Sequence, residues 1–145
     1  MITLTQTGID MSSSVSVVIP NWNGLCHLRT CLDAVLRQTY SRYEVVLVDN
    51  GSTDGSCEFV AEHYPQVRIL RLERNLGFTG GTNLAIRNTQ SDYMASLNND
   101  TEAELTWLEE LVRAMDSEPH VGMCASKMLF HDRRQVINSA GIAVD

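Results

Sequence analysis

Four short apolar runs, each breaking off at a cluster of Asn, Asp or Gly, constrain this chain more than any other feature. The clearest is Val46-Leu47-Val48-Asp49-Asn50-Gly51-Ser52-Thr53-Asp54-Gly55. An apolar segment that stops at an acid, an amide and a glycine turn reads as a buried strand delivering polar groups to the rim of a sheet. In an open α/β sheet, the ligand crevice lies outside the carboxyl ends of the strands. Repeating this event along the chain predicts a polar rim with a binding role.

The segments between these runs carry the other period. Val15 to Pro20 is a β-branched run suited to a strand buried on both faces. Leu25, Leu28, Leu32, Val35 and Leu36 then recur at helical spacing, predicting an amphipathic helix to about Gln38. Glu44 to Val48 is the second strand. Asp54 is placed to cap a short helix containing Phe59 and Val60, which Pro65 closes. Val67 to Leu72 is the third strand. A glycine-bearing loop is expected from Glu73 to Gly81, then a helix through Leu84, Ala85 and Ile86. Tyr93 to Leu97 is the fourth strand. Thr101-Glu102-Ala103-Glu104 has capping-box spacing and should start a helix that buries Leu105, Leu108, Leu111, Val112 and Met115. Pro119 marks its exit, and Val121 to Ala125 reads as a fifth strand. The order β-α-β-α-β-α-β-α-β implies a mainly parallel sheet, helices on both faces and right-handed crossovers.

Composition excludes some partners. The chain has 145 residues and a formal net charge of -7, with no Lys/Arg block to track a phosphate backbone. Nucleic acid is therefore not an expected ligand, and an anionic small molecule would need local help. Cys26, Cys31, Cys57 and Cys124 form no CxxC pair and read as reduced, mostly buried thiols of a cytosolic protein. No apolar run reaches transmembrane length. Residues 1–14 are expected to be a disordered leader, with the domain running from Val15 to Asp145.

The turn after the first strand is Asn21-Trp22-Asn23-Gly24, not G-x-G-x-x-G, and no P-loop motif occurs. Pro20, Asn21, Trp22 and Asn23 offer a flat aromatic and two amides where a base and ribose could rest; Asn23 reads equally as a helix cap. Asp49 can hold ribose hydroxyls, and Asn50 can accept from a pyrimidine N3–H. The same pair also suits an Asx-type turn. Arg74, Gly80 and Gly81 belong to a Gly- and Asn-rich loop that feeds a helix N-terminus, a setting that favours phosphate. Asn98-Asn99-Asp100 places one carboxylate among amides at a strand end, which suits Mg²⁺ or Mn²⁺ shared with substrate phosphates.

Taken together, Val17 to Asn23, Val48 to Gly55, Asn75 to Asn83 and Leu97 to Thr101 resemble the family 2 inverting glycosyltransferases of the GT-A fold. The Asn-Asn-Asp form and the Gly-Phe-x-Gly-Gly loop look most like the rhamnosyltransferase and galactofuranosyltransferase branch. The resemblance implies a Rossmann-like nucleotide-diphospho-sugar transferase fold, truncated at its C-terminus. It implies that Pro20, Asn21 and Trp22 border the base, that Asp49 and Asn50 meet the nucleoside, and that Asp100 is the metal ligand. Asn50 stands where the family often has an aspartate, and Asn98 stands at the first acid of its metal motif. The catalytic base is expected beyond Asp145; His131 and Asp132 form a weaker alternative within the chain.

The expected activity is metal-assisted transfer of a sugar, with inversion, from a UDP- or dTDP-sugar to a glycan or lipid-linked acceptor. The expected location is the cytoplasm, with peripheral contact at the inner face of the membrane, and self-association through an uncovered face. A non-catalytic nucleotide-binding module is the reading from another class. A nucleotidyltransferase would need a Gly-rich, Lys- or Arg-bearing loop after the first strand, and this chain lacks one.

Overall fold

A computed structural model describes residues 12–118 and 120–140. The chain divides into two compact units, one comprising residues 12–106 and the other beginning at Trp107. In the first unit, β1 (Val15–Asn21), β2 (Tyr43–Asp49), β3 (Arg68–Arg71) and β4 (Tyr93–Ser96) form a parallel sheet in the order β3-β2-β1-β4. The connections are α1 (Leu25–Val35), α2 (Ser56–His63) and α3 (Gly77–Asn88).

β1 is almost wholly buried and β2 is buried from Val45 onward. Alternation along the strands sends Val18, Val46 and Val48 to one face. There they pack with Ala85, Leu84, Leu70 and Leu72 beneath α3. Val17, Ile19, Val45 and Leu47 point to the opposite face and are equally buried. Right-handed crossovers from β1 to β2 and from β2 to β3 put α1 and α2 on one face, where they touch. The step from β3 to β4 runs back past β1, so α3 lies on the other face. Strand order therefore reverses between β1 and β4, and their carboxyl ends flank the crevice that such a reversal opens.

The second unit, described by itself, holds α4 (Trp107–Ser117) and a two-stranded antiparallel ribbon of β5 (Met128–Leu129) and β6 (Ile137–Ser139). Arg113 pairs with Glu109 and Glu110 along α4. No helix among the described residues is long and apolar enough to cross a membrane.

Several expectations need correction. The loop expected through Gly81 is already helical from Gly77, with Asn75 Oδ1 accepting the Gly77 N–H at 2.7 Å. The helix expected from the Thr101 capping box starts only at Trp107, and Leu105 is exposed. The carbonyls of Glu104 and Leu105 accept hydrogen bonds from Gln38 Nε2 and Thr39 N–H instead, which holds this stretch out of a helical turn. Val121 to Ala125 forms no strand; Trp107 Nε1 donates to Ser126 Oγ at 2.7 Å, and Met123 is exposed. Gly55, not Asp54, is the cap residue of α2. Residues 1–11 and Pro119 lie outside the described residues, while Ser14 is held by Asp92 through both its N–H and its hydroxyl.

Candidate nucleotide-sugar site

The polar rim is built from the chain segments that leave β1, β2 and β4. Asn21 is its hub and is 1% exposed. Its Nδ2 donates to Asp49 Oδ1 at 3.3 Å and to Ser52 Oγ at 3.2 Å. Its Oδ1 accepts from Asn99 Nδ2 at 2.8 Å, and its backbone oxygen accepts the Asn50 N–H. One side chain thus ties three strand ends together. Such a buried amide belongs there only with its donors and acceptors paired.

Asp49 is fully buried. Burial alone pushes its pKa up. Hydrogen bonds from Ser52, the Cys57 thiol and Asn21 outweigh that push and hold the carboxyl below its ordinary range. Arg71 stands 4.0 Å away and also pairs with Glu58 at 3.0 Å. Ser52 N–H donates to Asp49 Oδ2 at 3.0 Å, so the carboxylate fixes the turn that follows β2.

That turn is laced to the first loop. Asn23 N–H donates to Ser52 Oγ, and Asn23 Oδ1 accepts the Thr53 N–H at 2.8 Å. Asn23 adopts a positive φ of 50°, a conformation Asn tolerates better than most residues. Gly51, at φ +74°, is required on two counts: its backbone is left-handed, and a Cβ there would lie 3.0 Å from the Arg74 Cα. The loop carrying Arg74 is thereby seated against the end of β2. A hollow of about 340 Å³ lined by Gly51, Ser52, Thr53, Arg71, Leu72 and Glu73 opens beside it.

The remaining expected residues fall into distinct places. Asn50 is 3% exposed, and its Oδ1 has no hydrogen-bond partner among the described residues. Gly81 lies against the Asn50 amide, and a Cβ there would sit 3.0 Å from Nδ2. Gly80 packs on Leu76 instead. Pro20 sits within β1 opposite Val48. Trp22 is 57% exposed at the rim. Asp100 and Arg74 are exposed. The structure therefore joins Asn21, Asn23, Asp49 and Asn99 through one bonded network that includes Ser52, with Asn50 and Gly81 in contact beside it.

Among the described residues, no group of three or more His, Cys, Asp or Glu is placed to hold a metal ion. A self-sufficient protein cage is therefore not what these residues build. A lone exposed carboxylate at a strand end does suit a Mg²⁺ or Mn²⁺ ion that draws its other ligands from water and substrate phosphates. Asp100 fits that narrower role.

Sequence reasoning missed Gly24, Arg71 and Cys57. Gly24 carries the first loop past Asn21 and Asn99; Arg71 and Cys57 both act on Asp49. Arg71 was legible only as a strand residue, and a partner's identity across parallel strands is not written in local spacing.

Comparison with known proteins agrees with this architecture. The profile of "Glycosyl transferase family 2" matches residues 16–139. The chain belongs to that family. The uncharacterized glycosyltransferase YibD of Escherichia coli is 30% identical over 128 residues, covering 86% of this chain and 37% of the relative. Glycosyltransferase AglE of Haloferax volcanii is 37% identical over 100 residues, covering 66% of this chain and 33% of the relative. The chain thus spans about a third of the length of these relatives. Mannosyltransferase PcManGT from Pyrobaculum calidifontis, solved with GDP-Man and Mn²⁺, matches with a TM-score of 0.65 at 27% identity, over 78% of this chain and 35% of that one. S. aureus TarS 1-349 shares the fold with a TM-score of 0.66 at 22% identity, over 72% of this chain and 32% of that one.

Proposed function

We propose that these residues form the donor side of an inverting, metal-assisted glycosyltransferase that uses a UDP- or dTDP-sugar. The acceptor is a glycan or a lipid-linked sugar at the inner face of the membrane. The likeness to rhamnosyl- and galactofuranosyltransferases rests on the Asn98-Asn99-Asp100 form and on the Gly77 to Gly81 motif that opens α3. The observation that carries the donor reading is Asn50. A buried amide with an unpaired carbonyl oxygen at the carboxyl end of a central strand is costly unless a ligand donor completes it. A pyrimidine N3–H is such a donor.

Asp49 holds the turn that carries Asn50, and Trp22 supplies an exposed ring to border the base. Gly81 covers the amide, so a base reaches Asn50 when the N-terminal part of α3, through Gly81, gives way. The N-terminus of α3 and Arg74 then face the diphosphate. A divalent ion, when bound, supplies neutralisation of the charge that builds on the departing diphosphate. Asp100 is the residue that would hold it. The acceptor hydroxyl needs a base to remove its proton, and we assign that base to none of the described residues. Related structures solved with UDP, UDP-GlcNAc and GDP-Man support a nucleotide-sugar donor as the ligand class.

The test is calorimetry with UDP, dTDP, ADP and GDP in the presence of Mn²⁺. Pyrimidine diphosphates should bind more tightly, and Asn50→Ala should erase the preference. Asp100→Ala should weaken Mn²⁺-dependent binding at least tenfold, about 1.4 kcal/mol. Purine diphosphates that win the competition would defeat the base assignment. Equal affinity in the wild type and Asp100→Ala would remove Asp100 from the site.

A further inference from the structure

β4 joins the sheet beside β1, so the turn after β4 meets the turn after β1 although 78 positions separate Asn21 from Asn99. They meet at the point where strand order reverses. Asn99 Nδ2 donates to Asn21 Oδ1 at 2.8 Å, and Asn21 Nδ2 reaches on to Asp49 and Ser52. Asp100, the next residue, is exposed. A side-chain path from the Asp100 turn to the end of β2 therefore runs through the Asn99–Asn21 bond, beside the backbone bond of Leu97 to Val18 in β1.

Gly24 makes room for that bond. Its backbone, at φ -108° and ψ 23°, is open to any residue, so backbone freedom does not explain glycine there. Space does. A Cβ at position 24 would lie 2.1 Å from Asn99 Nδ2 and 2.6 Å from Asn21 Oδ1. Both distances are far inside contact, and both atoms are the two ends of the same hydrogen bond.

We propose that Asn99 is a positioning residue. Its bond to Asn21, admitted by Gly24, sets the Asp100 turn against the nucleoside rim, so that cation and nucleoside diphosphate bind as one coupled ligand. This inference rests on the donor reading above and adds to it the device that joins its two halves. Without the Asn99 amide, the Asp100 turn loses its tie to Asn21. The nucleoside still meets β2 and Asp100 still presents its carboxylate, but each then acts alone. Coupling of this kind is reciprocal: what Mn²⁺ does to UDP affinity, UDP does to Mn²⁺ affinity.

The experiment measures UDP affinity by calorimetry with and without saturating Mn²⁺, and Mn²⁺ affinity by electron paramagnetic resonance with and without UDP. Wild type, Asn99→Ala, Gly24→Ala and Asp100→Ala are compared, with thermal melts recorded for each. Asp100→Ala sets the floor that comes from Mn²⁺ pairing with UDP in solution. The wild type should show roughly tenfold mutual enhancement above that floor. Asn99→Ala should fall to within about twofold of the floor while metal-free UDP affinity changes far less than the coupling and the melt stays cooperative; Gly24→Ala, whose methyl also meets Asn21, should lose the coupling at least as far. Full coupling in Asn99→Ala overturns the proposal and leaves the donor site standing. Full coupling in Gly24→Ala overturns the part given to Gly24. Loss of metal-free UDP binding in step with the coupling in Asn99→Ala also overturns it, because Asn99 would then support the whole rim. A folded wild type that binds no UDP overturns the donor reading itself.

Discussion

Asp54 accepts the backbone N–H of Leu25 at 2.9 Å, so a residue in the turn after β2 caps the helix that follows β1. Its other oxygen accepts the N–H and the hydroxyl of Ser56 at the start of α2. One carboxylate serves two helix N-termini, where backbone N–H groups lack intrahelical partners and the helix dipole favours negative charge. Gly24 and Gly55, the residues at the two cap positions, have no side chain to do this.

Asp54→Ala removes the shared acceptor from both helices. Losing one cap costs about 0.5–2 kcal/mol, so the pair should cost about 2 kcal/mol. Urea unfolding should show a lower midpoint with an unchanged slope. A shift below about 0.5 kcal/mol would mean that water replaces the carboxylate at both ends.

Acid should weaken the fold through the same region. Asp54 and Asp49 both hold pKa values below the ordinary 3.8; in each, burial pushes upward and hydrogen bonds prevail. A carboxyl whose folded pKa is depressed contributes stability that is complete above its unfolded value. That stability is lost as pH falls through the unfolded value toward the folded one. The denaturation midpoint should therefore drop below about pH 4, and Asp54→Asn should flatten that decline. An acid decline as steep in Asp54→Asn as in the wild type would assign it elsewhere.

Thiol reactivity should sort the cysteines. Burial, with the charge of Asp100 behind it, pushes Cys31 up to about 12. Burial, with a hydrogen bond to Asp49 behind it, pushes Cys57 up to about 12. Cys26 is exposed near the start of α1. Iodoacetamide at neutral pH should label Cys26 in the folded protein and reach Cys31 and Cys57 only after unfolding. Mass spectrometry showing equal native labelling of Cys57 and Cys26 would contradict the burial at Asp49.

Gly51→Ala tests the seat of the Arg74 loop. The new methyl group meets both a left-handed backbone and the Arg74 main chain. It should destabilise the protein by more than about 1 kcal/mol, because neither conflict is relieved by a side-chain rotation. Thr53→Ala, at an exposed neighbour, should stay within about 0.5 kcal/mol of the wild type.

The parallel sheet was legible because Val15 to Pro20 and Glu44 to Val48 are apolar almost without interruption, as strands covered on both faces must be. Asn21, Asp49 and Asn99 were legible as rim residues for the same reason: each follows such a run. Their partnership was not. Whether Asn99 faces a ligand or Asn21 depends on β4 lying next to β1, and local spacing says nothing of strand order. The glycines before Leu84 suggested a loop by propensity. Gly81 instead lets α3 pack on Val48 and Asn50, so tertiary contact overrode the local preference. The Thr101 capping box failed because carbonyls in that segment are engaged by Gln38 and Thr39, far away in sequence. Val121 to Ala125 has strand composition, but among the described residues it pairs with no strand.

The order β3-β2-β1-β4 also sets a timetable. β1, β2 and β3 can zip together as the chain emerges, each against its predecessor, but the rim stays open until β4 returns past two strands to reach β1. Contacts that distant in sequence form late, because the intervening loop must close first. A nascent chain that stops short of Asn99 thus carries most of the sheet and no assembled crevice. Under the donor reading proposed above, nucleotide capture would report the completion of folding, and a ligand added during refolding should act on the last step alone.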